Sequence, residues 1–147
     1  MRLVVYESEP RNAAVLARLA DVELVEVRSL TQLRLALDDK MPDILAVEVT
    51  LANLVEVSRT IHDLKVQATV GIIGIPESNH DAGVSILHEA GVDLVFRSML
   101  DAAKVAAFIE RRRQIVRSCN ADTGRQAWRE QIWARIPWKR HATGGSR

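Results

Sequence analysis

A single cysteine, Cys119, stands in the 147 residues, so no disulfide can close within the chain and a reducing cytoplasm is the expected setting. Four prolines and seven glycines are too few for a low-complexity or fibrous chain. No apolar run approaches the roughly 20 residues that span a bilayer. At the start, Glu7 interrupts the first apolar run too early for a secretory leader. His62, His80, His88 and His141 are scattered, none at metal spacing with Cys119, which argues against zinc. No Gly-x-Ser-x-Gly elbow, Walker loop or Gly-x-Gly-x-x-Gly follows a candidate strand, and no nucleophile–base pair is visible. An enzyme is not indicated.

What is present is an ordinary globular balance, 48% hydrophobic and 27% charged. The charge is unevenly placed. Residues 1–110 hold 10 Lys and Arg against 17 Asp and Glu, while residues 111–147 hold 10 against 2. All three tryptophans lie in the last twenty positions. The expected division is an acidic domain, 1–117, followed by a basic, tryptophan-bearing and partly helical tail, 118–147.

Within the acidic part, short apolar runs alternate with helical periodicities. Leu3–Tyr6 reads as a strand, and Pro10 stands where the first turn of a helix tolerates proline, with Ala13, Leu16 and Leu19 at helical spacing behind it. Val22–Val27 alternates as a second strand, and Ser29 reads as the N-cap of a helix carrying Leu30, Leu33, Leu35 and Leu37. The run Ile44–Val49, bounded by Pro42 and Asp43, is apolar except for Glu48 and reads as a strand buried on both faces. A helix with Leu54, Val55, Val57, Ile61 and Leu64 follows, then a strand over Thr69–Ile75. Gly71 and Gly74 inside that strand point to close packing rather than phosphate binding. Asp81–Ala90 reads as a helix with Val84, Ile86 and Leu87 inward and Gly91 at its C-cap. Val92–Phe96 is a fifth strand, and Asp101 reads as the cap of a last helix. Strands alternating with helices imply right-handed crossovers and a doubly wound, five-stranded parallel α/β sheet, with a C-terminal helical tail.

Three stretches and a position carry a resemblance. Leu3-Val4-Val5-Tyr6-Glu7-Ser8-Glu9-Pro10 is similar to a first strand ending in two acids. Pro42-Asp43-Ile44-Leu45-Ala46-Val47-Glu48 is similar to a strand ending in a phosphoacceptor aspartate. Leu87-His88-Glu89-Ala90-Gly91-Val92-Asp93 is similar to a Leu-x-Ala-Gly-Ala-Asp turn, and Gly74 stands where a Ser or Thr ends the fourth strand. Over residues 1 to 117 the chain resembles the response-regulator receiver domain, a flavodoxin-like (βα)5 module that takes a phosphoryl group from a histidine kinase. In that family two acids and the aspartate hold Mg²⁺, while a hydroxyl and a lysine bind the transferred oxygens.

The resemblance maps the first acid to Glu7, the second to Ser8, the phosphoacceptor to Glu48 and the hydroxyl to Gly74. The lysine position falls on Ser98, or on Arg97 with a one-residue slip, and Val95 stands where a switching aromatic is common. It implies a degenerate pseudo-receiver without a bound cofactor. Glu48 is then a surface carboxylate, a stand-in for the phosphorylated state paired with Arg97, or part of a residual Mg²⁺ or Ca²⁺ site with Glu7 and Glu9.

In the tail, Asp122 or Thr123 reads as the N-cap of a helix with Trp128, Ile132, Trp133 and Ile136 on one broad face, ended by Pro137. Arg125, Arg129 and Arg135 border that face; Trp138 and Lys139 follow. Such a helix packs on its own domain, docks on a protein partner through tryptophan and arginine, or lies on an anionic membrane surface. Nucleic acid would suit the charge, but no recognition motif accompanies it. Homodimerisation through the last helix is compatible with the fold. The expected function is a phosphorylation-independent signalling adaptor acting through protein contacts of body and tail. The alternatives are a phosphoaccepting single-domain response regulator of a two-component relay, using Glu48 and Mg²⁺, and a membrane-surface-tethered regulator.

Overall fold

The structure is a computed structural model that describes residues 1–19, 22–77 and 81–135, with side chains described for 1–19, 22–77 and 84–119. The chain divides into two compact units, Met1–Arg113 and Gln114–Arg147. The first holds five strands, β1 (Arg2–Tyr6), β2 (Glu23–Val27), β3 (Ile44–Val49), β4 (Gly71–Pro76) and β5 (Leu94–Val95). Between them run α1 (Ala13–Leu19), α2 (Leu30–Asp39), α3 (Leu54–Gln67) and α4 (Asp81–Glu89). A 3-10 turn at Met99–Asp101 leads into α5, Ala102–Arg135. All strand pairs are parallel, in the order β2-β1-β3-β4-β5.

Alternation along each strand divides the core into two layers. Val4, Tyr6, Leu45, Val47 and Ile72 point to one face, where Leu33 of α2, Ile61 of α3 and Leu87 of α4 cover them. Leu3, Val5, Ile44, Ala46 and Ile73 point to the other, under Leu16 of α1 and Val105 and Ile109 of α5. The aliphatic composition is thus sufficient for a sheet covered on both sides, as parallel strands require. Register puts Tyr6 level with Val47, so the ends of β1 and β3 meet where the strand order changes direction. That crevice is where open α/β sheets place their sites.

Several boundaries differ from the sequence-based expectation. The helix after Pro10 starts at Ala13, because the amides of residues 11–13 are taken by the carboxylate of Glu7 rather than by a proline-led turn. β5 is two residues, not five, because Val92 bonds back to Leu87 and closes the turn after α4. Gly91 lies in that turn at φ 97°, a conformation that favours glycine. Ile86 is 41% exposed rather than inward, and Leu35 of α2 and Val55 of α3, read among the apolar positions of their helices, are 64% and 62% exposed. The cap before α5 is Ser98, whose Oγ accepts from the Leu100 amide, while Asp101 reaches back to accept from the Arg97 amide. Finally, α5 runs unbroken through Asp122 and Thr123, so neither caps a separate helix. Ala121, Arg125, Gln126 and Ala127 are good helix formers, and the weakest residue among their neighbours, Gly124, costs about 1 kcal/mol, too little to end a long helix. Ile136, Pro137, Trp138 and Lys139 lie outside the described residues, as do the side chains of Trp128, Arg129, Ile132, Trp133 and Arg135. Among the described residues no helix is long and apolar enough to cross a membrane.

Candidate functional site

β1 delivers Glu7 and Ser8 to the crevice, and β3 delivers Glu48 beside them. The three side chains have different occupations. Glu7 is fully buried. Its oxygens accept from the amides of Asn12 at 2.8 Å, Ala13 at 3.0 Å and Arg11 at 3.2 Å, and from the Arg28 guanidinium at 3.3 Å. Burial alone would push this carboxyl up, but the three amides and Arg28 outweigh it and hold Glu7 below its ordinary value. In chemical terms Glu7 is the N-terminal cap of α1, with its charge against the amides that the helix leaves unpaired.

Ser8 donates twice to one oxygen of Glu48. Its amide and its hydroxyl each lie 2.7 Å from Glu48 Oε2. A carboxylate that elsewhere would neutralise its charge on a cation is here solvated by a neutral clamp. Glu9 forms an ion pair with Arg11. Glu9 chiefly raises the affinity of that guanidinium for its proton, and attraction from Glu48 and Glu7 adds to it, so a fixed positive charge lies beside the crevice. Behind Glu48, the β3–α3 loop is closed by Thr50 and Asn53. The Asn53 carboxamide accepts from the Thr50 amide at 2.8 Å and donates to the Glu48 carbonyl at 3.0 Å, and Thr50 Oγ1 accepts from the Asn53 amide.

The remaining sequence-assigned positions lie elsewhere. Gly74 pairs with Val47, one residue short of Glu48, whose partner across the strands is Ile75. A Cβ at Gly74 would meet Val92 Cγ1 at 3.0 Å and Leu87 Cδ1 at 3.2 Å, so glycine there admits α4 and the turn after it. Ser98 is engaged in its cap. Arg97 lines a groove with His88, Val95, Asp101 and Lys104, and its amide donates to Asp101. The ends of β1 and β3 thus bring Glu7, Ser8, Glu9 and Glu48 to the crevice, with Gly74 level with Val47 on the next strand.

Arg11, Arg28 and Asn53 were not marked by the sequence. An acid four to six residues before the first helical apolar positions would have flagged Glu7 as a cap. Nothing comparable signals that Arg28, which follows β2, reaches Glu7.

The fold's implied Mg²⁺ can be tested against these donors. A hard cation needs several oxygens converging on one point. Glu7 faces α1, Glu9 faces Arg11 and Glu48 accepts from Ser8, so the three carboxylates serve three different partners. Among the described residues no group of three metal-ligating side chains converges. The residues as arranged do not fit the ion.

No protein-family model matches the sequence, and no curated protein does. Solved structures do. A CheY-like protein (tadZ) from Pseudomonas aeruginosa PAO1 is 17% identical at a TM-score of 0.62, covering 76% of this chain and 98% of that one. The BeF3-activated DrrB receiver domain is 14% identical at 0.61, covering 77% and 97%. The signal receiver domain of the DNA-binding response regulator protein merR from Colwellia psychrerythraea 34H is 13% identical at 0.60, covering 74% and 98%. The strand order and these neighbours agree: the chain has the flavodoxin-like fold of receiver domains.

Proposed function

We propose that this chain is a phosphorylation-independent signalling adaptor, a pseudo-receiver of the two-component type that works through protein contacts and not through catalysis or a bound cofactor. The observation that carries the reading is the paired 2.7 Å hydrogen bonds from Ser8 to Glu48, which put two neutral donors where phosphoryl chemistry needs a charged metal shell. Phosphoryl transfer draws most of its catalysis from positioning and charge neutralisation, and Glu7, already committed to α1, supplies neither. Contact surfaces remain. One is the groove of His88, Val95, Arg97, Asp101 and Lys104, which joins apolar wall to both signs of charge. The other is the tail that follows Arg113. A cytoplasmic setting suits both.

Intact mass after incubation with a small phosphodonor and Mg²⁺ tests the proposal. The expected mass is unchanged. A gain of one phosphoryl group that disappears in Glu48→Gln would instead make the chain a phosphoaccepting response regulator.

A further inference from the structure

The tail's role as a contact surface rests on the adaptor reading above, which leaves the chemistry of the partner open. Beyond Arg113, α5 continues as regular helix to Arg135. Successive residues of such a helix step about 100° around its axis. Over residues 121–135, Trp128, Ile132 and Trp133 fall in the same arc of about 160° as Arg125, Arg129 and Arg135. The opposite arc carries Thr123, Gly124, Gln126, Ala127, Glu130, Gln131 and Ala134, with neither a cation nor a large apolar residue. The order around the first arc is Arg135, Trp128, Ala121, Ile132, Arg125, Arg129, Asp122, Trp133, so three cations share the arc with one acid at its N-terminal end. Cations are therefore interleaved with the apolar positions rather than confined to their margins.

That order selects among partners. The cation-free sector between Arg135 and Arg125 is about 80° wide, narrower than the roughly 100° stripe of a helix facing a continuous apolar medium. A bilayer would have to take up Arg125 and Arg129 along with Trp133. The excess of acids over bases in residues 1–110, 17 against 10, opposes approach to any extended polyanion, membrane or nucleic-acid strand. A protein groove escapes the first difficulty and meets the second only in small part, because it needs just a few carboxylates, one against each guanidinium, with clefts between them for tryptophan. We propose that the Trp/Arg face of α5 between Arg125 and Arg135 binds an acidic protein groove, an apolar cleft bounded by carboxylates.

Because all three tryptophans lie at positions 128, 133 and 138, tryptophan fluorescence of the full chain reports on this segment alone. The probe is a synthetic amphipathic helix of leucine and glutamate. Its addition is expected to shift the emission saturably to the blue. The double substitution Arg125→Gln, Arg129→Gln is expected to weaken that response at least about tenfold. Glutamine keeps nearly arginine's helix propensity, and circular dichroism checks that the helix persists. Raising the ionic strength of the unmodified chain is expected to weaken the response in the same direction, which tests the proposal without any variant. No shift with the peptide, a salt-independent shift or an equal shift with a leucine–lysine peptide overturns it. So does a response confined to phosphatidylglycerol vesicles, to single-stranded oligothymidylate, or to rising protein concentration alone. None of these outcomes alters the phosphodonor experiment, so failure of the tail's partner and failure of the phosphorylation-independent reading are separately visible.

Discussion

Glu7 shows how a carboxylate at a strand end can serve the backbone of the next helix. A buried carboxylate with three amides and a guanidinium around it is a stability element, and its contribution depends on its charge. Glu7→Gln retains one acceptor and loses the charge, and is expected to lower the unfolding free energy by about 2 kcal/mol in urea titrations. The loss has a pH signature. Glu7 in the folded chain titrates below its ordinary 4.5, so its stabilisation is fully present above that value and disappears as pH falls through the lower folded one. The gap between wild type and Glu7→Gln is therefore expected to be constant from neutral pH to about pH 5 and to close in acid; a gap that widens there would contradict the cap. The resemblance to the receiver domain placed Glu7, Ser8 and Glu48 together, and the register of β1 on β3 puts them at adjacent strand ends. The resemblance did not reveal what each would bond to, since the partner of Glu7 is the backbone of α1 and Arg28 lies 21 residues away.

At the scale of elements, the strands and helices were legible where burial sets a period. β3 appears with both boundaries as read, because its apolar run is enclosed by Pro42–Asp43 and Thr50. The N-cap Ser29 is likewise as read, accepting from the Gln32 amide at 3.2 Å. Boundaries set by long-range bonds were not legible. The side chain of Asp93 accepts from the Ile72 amide at 2.7 Å and from Lys65, so the chain before β5 is held by bonds that no local pattern encodes. The unbroken α5 is a third case, in which polar residues that read as a cap were outweighed by the good helix formers around them. Gly124 is the weak point of that stretch. Gly124→Ala is expected to stabilise the local helix by about 1 kcal/mol, seen as slower amide exchange over the residues flanking it; unchanged exchange would mean that the helix there is not continuous in solution.

For the whole molecule, the crevice sets the balance between a signalling surface and a chemical device. Ser8→Asp would place a second carboxylate against Glu48 in a partly exposed setting, and is expected to cost about 1 kcal/mol. Millimolar Mg²⁺ is expected to raise the melting temperature of that variant and to leave the wild type unmoved; a rise in the wild type would restore a cation to the native pocket. The fold also has a bearing on how copies of the chain can meet. β2, at one margin of the sheet, exposes Glu23 and Glu26, and β5 at the other is only two residues long. Lys40 and Arg28 balance the two glutamates within the chain. A foreign strand aligned on β2 would meet like charge if it were another β2, and at β5 it would find almost no ladder to extend. Among the described residues, pairing of two copies through their sheet margins is thereby disfavoured at both edges.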